Sequence, residues 1–354
     1  MLKFLNGNQK NFLRKLEILL NKRKIKQQTK SLVVKKILID VKKNGDKAII
    51  KYEKRFSKNK TNFSGIKFSR NEINKVCKSI DKNLKNSIDI AFSRIKKFHQ
   101  KQKFSAFSYK DKYKNLLSYR YSPMDRVGVY VPGGTASYPS TVLMNCIPAI
   151  VAGVKNIYLT TPTLGELVNP GIIYAAKKCG VKEIYKIGGV QSIAGLTYGT
   201  KTFKKVDKIV GPGNAFVALA KKEVFGDVGI DMIAGPSEVS IVADKKSNPE
   251  WIASDLIAQA EHDIFAQSIL VTNSKDLINL VNLSIKKQLI NLPKKRIASS
   301  SLRKFGLAIF VSSKKKILDI VNLIAPEHLE IDFKNYRGII KGIRNAGSIF
   351  IGKF

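Results

Sequence analysis

Three glycine-rich turns, each set between a short β-branched strand and an apolar helix, constrain this chain more than any other feature. VGVYV runs into PGGTASYPS and then VLMNCIPAIVAGV, EIYKI runs into GGVQSIAG, and VDKIV runs into GPGNAFVALAKKEVF; NIYLT adds a further strand. Strands alternating with helices predict an α/β fold around a mainly parallel sheet, because parallel neighbours need a crossover long enough to hold a helix. Such sheets bind ligands beyond the carboxyl ends of their strands, where these turns would gather. Glycine lets the backbone approach a phosphate, and the N-terminus of the following helix offers free N–H groups and a positive dipole. None of the three is a clean G-x-G-x-x-G, and singly each fits an ordinary tight turn. Three in succession favour a nucleotide site, with Gly133, Gly189 and Gly213 converging on one cleft.

Upstream, residues 1 to about 120 read as helical. Ser31–Lys43 is amphipathic and stops at Asn44-Gly45, a helix C-cap signal. Asp46 opens DKAIIKYEKRF, and Ser69 with Glu72 forms a capping box before a long stretch ending near IKKFHQKQ. His99 stands there among lysines and reads as a surface residue. Downstream lies a second α/β set: VSIVA, a helix, QSILVT, a helix from Lys275 to about Lys287, LAIFV, the helix ILDIVNLI, APEHLEI and the strand GSIFI. Pro293 and the basic KKR after it mark a loop.

The helix entered at Pro249, with Ser247 and Glu250 as its capping box, carries Asp255, Gln259 and His262 at i, i+4 and i+7, on one face. An amide oxygen and an imidazole nitrogen one turn apart can clamp a divalent cation, zinc or another transition metal. On spacing alone a structural hydrogen bond explains such a histidine more simply, and glutamine is an uncommon zinc ligand. Glu327 and His328, in APEHLEI, follow a helix end and a proline. A carboxylate and an imidazole there offer two proton acceptors, as needed to oxidise an alcohol and then to activate water. A surface acid beside a capping histidine is the simpler reading of that pair by itself.

The 354 residues, 44% of them hydrophobic, suffice for two domain cores. The formal charge of +38 is mostly lysine, spread through every segment and heaviest on the N-terminal helices. Without a basic stripe, interleaved aromatics or a zinc-finger signature, it reads as a solvated surface with no specific nucleic-acid partner. No run is long and apolar enough to span a membrane, and MLKFLNGNQKNF lacks the apolar core of a secretory signal. Cys77, Cys146 and Cys179 are scattered without a CxxC pair, which fits a reduced cytoplasmic compartment; Cys146 reads as a small core residue.

From KNGDKAIIKYEKRF to its last residue the chain resembles the histidinol dehydrogenase family. IKKFHQKQ, RVGVYVPGGTASYPSTVLMNCIPAIVAGV, GGVQSIAGLTYGT, VGPGNAFVALAKKEVFG, IDMIAGPSEVSIVAD, DLIAQAEHDIFAQSILVT, APEHLEI and NAGSIF carry the likeness. The resemblance implies a zinc-dependent (Zn2+), NAD-linked oxidation of L-histidinol through L-histidinaldehyde to L-histidine, using two NAD, the last steps of histidine biosynthesis. It implies a cytoplasmic homodimer and an α/β fold of two Rossmann-like domains with mainly parallel sheets plus an N-terminal helical extension. Residues 1–24 are expected to be that extension, 25–129 with 236–354 a discontinuous catalytic and metal domain, and 130–235 the NAD-binding domain. By motif, Gln259 and His262 match zinc ligands that also touch substrate, as Ser237 and His328 do. Glu327 matches the residue that activates water, and His328 the base acting on the alcohol. Tyr130, Gln191 and Asn214 match the NAD contacts.

The family pattern runs on past the strand matching GSIFI, to a GDY-type turn with an aspartate zinc ligand and a tail bearing a glutamate and a histidine ligand. The sequence given ends at Phe354. It is therefore expected to hold two of four zinc ligands and to show little or no activity alone. The competing expectations are a related zinc- and NAD-dependent dehydrogenase of another polyol or sulfonated alcohol, an inactive NAD-binding remnant, and a basic nucleic-acid binder; the set Gln259, His262, Glu327 and His328 speaks against the last.

Overall fold

This computed structural model describes residues 1–21, 31–57, 65–133, 139–163, 169–233, 235–334 and 336–352. The chain divides into two compact units, Met1–Lys26 with Gly235–Phe354, and Gln27–Ala234. The first unit begins with β1 (Lys3–Asn6) and α1 (Phe12–Asn21). The N-terminal residues are thus not helical throughout: β1 pairs in parallel with Leu307–Phe310 and adds an edge strand to that unit's sheet.

Within Gln27–Ala234 come α2 (Ser31–Asn44), α3 (Asp46–Ser57), α4 (Arg70–Lys78) and α5 (Lys82–Gln100). The stop signal after α2 works as expected: Gly45 takes φ +54° and its N–H donates to the Val41 carbonyl at 2.8 Å. Ser69 and Glu72 form the expected capping box on α4. Where helix was expected beyond α5, β2 (Phe107–Lys110) and β3 (Leu116–Tyr119) form an exposed antiparallel hairpin.

The rest of this unit is a parallel sheet of β4 (Arg126–Tyr130), β5 (Asn156–Thr160), β6 (Glu183–Tyr185), β7 (Lys208–Val210) and β8 (Gly229–Ile230), in the order β6-β5-β4-β7-β8. Its crossovers are α6 (Pro139–Ala152), α7 (Pro170–Lys178), α8 (Gly189–Tyr198) and α9 (Ala215–Val224). The chain enters at the central β4, runs out to β6, and returns to the other side of β4, so the order reverses between β4 and β7. Val34, Ile37 and Leu38 of α2 and Ile49 of α3 share a core cluster with Ile193 and Leu196 of α8. Ile88 of α5 is buried with Leu143 and Ile147 of α6. The expected joining of residues 25–129 to 236–354 differs from this arrangement, because α2–α5 bury their apolar faces against α6–α9.

The other unit continues with β9 (Glu238–Ala243), α10 (Pro249–Ala260), β10 (Gln267–Thr272), α11 (Lys275–Gln288), α12 (Lys295–Phe305), β11 (Leu307–Phe310), α13 (Lys314–Ile324), β12 (His328–Asp332), α14 (Tyr336–Ile340) and β13 (Ser348–Ile351). Its sheet, β1-β11-β10-β9-β12-β13, is parallel throughout; after the edge strand β1 the chain re-enters it in the middle, at β9. The basic KKR segment opens α12 instead of remaining a loop. The serines of RIASSSLRKF are tolerated because Ser301 is buried and donates to the Ala266 carbonyl at 2.9 Å. HLEID, given no element type in the sequence reading, is strand β12, with Leu329 and Ile331 buried between three half-buried polar residues.

Gly211, at the end of β7, has φ +110°, and a Cβ there would stand 2.2 Å from the Tyr130 carbonyl oxygen. Gly211→Ala combines a disfavoured backbone conformation with a backbone clash. It is expected to destabilise the protein by ~3 kcal/mol, read as a lower urea midpoint.

Candidate active site

A cavity of about 470 Å³ lies along α10, β12 and β13, lined among others by Asp255, Gln259, His262, His328, Glu330 and Phe350. Its construction starts at the cap of α10. Asn248 is the cap, accepting from Glu250 N at 2.8 Å and Trp251 N at 3.4 Å, and Pro249 takes the first helical position, where no N–H is required. This corrects the capping box read at Ser247 and Glu250. Ser247 instead donates its hydroxyl to the Asp332 carbonyl at 2.7 Å and accepts from Asp244 N at 3.1 Å, tying the helix start to the end of β12.

The helix ends at Ala260, so His262 does not continue its face; it sits in the following turn, its N–H donating to the Gln259 carbonyl at 3.3 Å. The turn still delivers His262 to the cavity that Gln259 lines. The Gln259 amide nitrogen is buried and has no hydrogen-bond partner among the described residues. A buried amide without a partner is costly, and a bound group would satisfy it. Since the two ends of a carboxamide differ only by a flip, its oxygen can take that position. Among the described residues no group of three or more His, Cys, Asp and Glu is placed to hold a metal; Gln259 and His262 provide two donors.

His328 opens β12, opposite Val239 of β9. Its Nδ1 lies 3.1 Å from the Glu238 carbonyl oxygen. A carbonyl only accepts, so Nδ1 carries the proton, and in the neutral ring Nε2 is the free acceptor. The ring stacks on Phe350, centroids 6.2 Å apart. Glu327 accepts from Glu238 N at 3.2 Å and lies 3.9 Å from His328 Nδ1. The two residues thus hold opposite backbone groups of Glu238. Gln259, His262 and His328 line the cavity together, whereas Glu327 and Ser237 are not part of its wall. Ser237 is fixed by its carbonyl, which accepts from Gln267 N at 3.1 Å.

One feature of the cavity escaped the sequence. Asp255 and Glu330 are hydrogen-bonded carboxyls, so one of them carries a proton. Burial first, and then the Asp255 charge, pushes Glu330 up to about 7; burial also raises Asp255. Asp255 stood on the expected helix face without a role. Glu330 becomes visible only when HLEID is read as a strand, which puts it two residues on, on the side of His328.

In Gln27–Ala234 the glycine-rich turns meet. Gly133 and Gly188 both press on Pro162, where a Cβ on either would stand 2.5 Å from the proline ring. The Tyr130 hydroxyl accepts from Gly189 N at 3.2 Å, and Gly211 abuts the Tyr130 carbonyl. Residues 134–138 of the first turn lie outside the described residues. Asn214 caps α9, accepting from Phe216 N at 3.0 Å and Val217 N at 3.1 Å. Gln191 is buried and donates to Glu53 Oε2 at 2.9 Å. The buried Lys221 clamps the third turn: its ammonium donates to the Gly211 carbonyl at 2.9 Å and pairs with Asp231, which accepts from Gly211 N at 2.7 Å. Sequence reading missed Lys221, since a lysine in so basic a chain gives no local sign of burial.

The sequence model of the family described as histidinol dehydrogenase matches residues 20–354. The chain is 57% identical to the histidinol dehydrogenase of Pelagibacter ubique, covering all of this chain and 82% of that protein. It is 45% identical to that of Rhizobium meliloti, over 95% and 77% of the two chains. The crystal structure of histidinol dehydrogenase from Elizabethkingia anophelis superposes with a TM-score of 0.93 at 37% identity, over all of this chain and 81% of that one.

The carboxyl pair makes stability depend on pH. Glu330 ionises near 7 in the folded protein and near its ordinary 4.5 when unfolded, so between those values the folded state binds more protons. Stability from this source is full below about pH 4.5 and is lost as pH rises toward 7. Glu330→Gln is expected to flatten the difference in denaturation midpoint between pH 5 and pH 8. A variant that keeps the wild-type slope would show that the pair does not titrate there.

Proposed function

The chain belongs to the histidinol dehydrogenase family, and we propose that it oxidises L-histidinol through L-histidinaldehyde to L-histidine, the last steps of histidine biosynthesis. The observation that carries this is that His328, distant in sequence from Gln259 and His262, lines the same cavity as they do. A zinc ion and NAD are the cofactors of this reading, and a homodimer in the cytoplasm belongs to it. Among the described residues no helix is long and apolar enough to cross a membrane. Another polyol or a sulfonated alcohol is disfavoured as substrate by the identity with relatives named histidinol dehydrogenase.

Gln259 and His262 fit zinc: the first has a buried, unpartnered amide among the described residues, and the second adds an imidazole on the same wall. Catalytic zinc takes three protein ligands and an open position, and Gln259 and His262 would supply two of them. When bound, the ion supplies Lewis acidity toward the substrate's oxygen. His328 takes the hydroxyl proton on Nε2 in the first oxidation; its Nδ1–H to the Glu238 carbonyl fixes the tautomer this requires. Glu327, half-exposed beside it, accepts a proton from the water that adds to the aldehyde, and the Glu238 N–H holds its carboxylate in place. Ser237, immediately before β9 and outside the cavity wall, is the further substrate contact of this reading. Tyr130, Gln191 and Asn214 hold NAD where the strand order reverses, and hydride acceptance in each oxidation is the chemistry NAD supplies when bound.

Replacing the two acceptors separately should divide the reaction. His328→Gln is expected to slow the first oxidation by roughly 10²–10⁴-fold, the usual worth of a general base. Glu327→Gln should leave that step largely intact and stall at the aldehyde, so NADH formed per histidinol falls from two toward one. Two NADH per histidinol from Glu327→Gln, counted by absorbance, would refute the division.

A further inference from the structure

A buried carboxylate lies next to the NAD-site residues, on an element outside the sheet that carries them. Glu53, on α3, is fully buried; its Oε2 accepts from Gln191 Nε2 at 2.9 Å, and its Oε1 has no hydrogen-bond partner among the described residues. Burying a carboxylate with one neutral donor is unfavourable, since most of its acceptor capacity goes unused. The packing nevertheless brings it there by design of the backbone. Gly195 of α8 leaves room for α3: a Cβ on it would stand 3.1 Å from Ile49 and closer still to Phe203. Ile49 and Glu53 are one turn apart on α3, as Gly195 and Gln191 are on α8, so the approach at Gly195 sets Glu53 against Gln191.

A carboxylate can only accept hydrogen bonds, whereas a carboxamide is symmetric in shape and can present either end. Glu53 removes that freedom by taking the NH₂ of Gln191. The carbonyl end then faces Gly189, where a Cβ would stand 3.0 Å from Gln191 Oε1. The N–H of Gly189 donates to the Tyr130 hydroxyl at 3.2 Å. That hydroxyl, having accepted, keeps its own proton to donate. Burial, with a smaller contribution from the charge of Glu53, pushes Tyr130 up to about 12, so the proton stays at neutral pH.

We propose that Glu53 is a positioning residue for the cofactor: it locks the Gln191 carboxamide so that its carbonyl oxygen, which like the Tyr130 hydroxyl lies against Gly189, provides the acceptor and that hydroxyl the donor for a nucleoside group that carries both. The vicinal hydroxyls of a ribose and the primary carboxamide of nicotinamide are such groups. The inference rests on the assignment of Gln191 and Tyr130 to the NAD site. It adds a residue from α3 that acts through Gln191 and does not touch the cofactor.

The test compares Glu53→Gln, nearly isosteric but free to donate, with Gln191→Ala, measuring NAD affinity by titration, the KM for NAD, kcat and Tm. Glu53→Gln is expected to raise the Kd and KM for NAD by about tenfold, as for a lost hydrogen bond to a charged group, with kcat within about twofold. The exchange Glu53→Gln with Gln191→Glu keeps the buried pair but turns a carboxylate toward the cofactor; it should recover Tm while NAD binding stays weak. If Glu53→Gln leaves the NAD constants unchanged while Gln191→Ala weakens them, Glu53 is structural only and the inference fails, the NAD site standing. If both leave them unchanged, the NAD assignment fails and takes the inference with it. Should Glu53→Gln not fold, a folded exchange variant with wild-type NAD affinity overturns the proposal equally.

Discussion

The register in which β12 pairs with β9 decides which side chains reach the cavity. His328 is opposite Val239, and Leu329, Glu330, Ile331 and Asp332 follow in step. Because side chains alternate across a strand, a slip of one residue would turn His328, Glu330 and Asp332 inward and expose Leu329 and Ile331. Burial of those two apolar side chains, beneath neighbours such as Val242 and Ile269, forbids the slip. The same register puts the Glu238 carbonyl within reach of His328 Nδ1 and the Glu238 N–H within reach of Glu327. A hydrophobic preference two residues wide thus sets the tautomer of the His328 imidazole.

That dependence also explains what could and could not be read beforehand. Long apolar strands such as QSILVT, and helices with explicit caps such as Ser69–Glu72, announce themselves because local pattern and final structure agree. HLEID did not, since three of its five positions serve the cavity and only Leu329 and Ile331 are left to signal a strand. The amphipathic helices α2–α5 showed that they bury a face but not which sheet receives it, because the hydrophobic effect has no direction. At α10 two adjacent cap formers, Ser247 and Asn248, competed; Pro249 settles the matter, since proline fits the first helical position and Asn248 is thereby the cap. The gathering of Gln259, His262 and His328 was legible through motif resemblance. The pairing of Asp255 with Glu330 was not, because it joins a helix to a strand whose identity was itself hidden.

Charge tells a similar story. Lysine and arginine outnumber acids 64 to 26, so an acid on the surface would seldom lack a cation. Several of the acids sit elsewhere. Asp46, buried, accepts from the hydroxyls of Thr200 and Thr202 and anchors the start of α3; Glu53, buried, orients Gln191. Exposed pairs such as Lys287–Glu250, at 3.8 Å, contribute little. The acids that matter are those withdrawn from water, where a single charge-assisted hydrogen bond fixes a turn or an amide. The large positive charge is then a property of the solvated surface.

In both sheets the strand–helix series begins at a central strand, β4 or β9, runs outward on one side and returns on the other, with β1 added at the edge of the larger sheet, yet the two place their candidate residues differently. In Gln27–Ala234 the residues assigned to NAD follow the carboxyl ends of β4, β6 and β7, as the reversal of strand order between β4 and β7 leads one to expect. In the other unit His328 and Glu238 stand at the amino ends of β12 and β9, and the cavity extends along the strand face beside α10. Topology alone would have directed attention to the opposite edge. What selects the edge is the turn after α10, which carries His262 back to the amino ends of the strands, and the αL residue Ala325 with Pro326, which turns the chain from α13 into β12 with Glu327 and His328 leading. The fold supplies a stiff parallel frame, and short turns decide where on that frame chemistry is assembled.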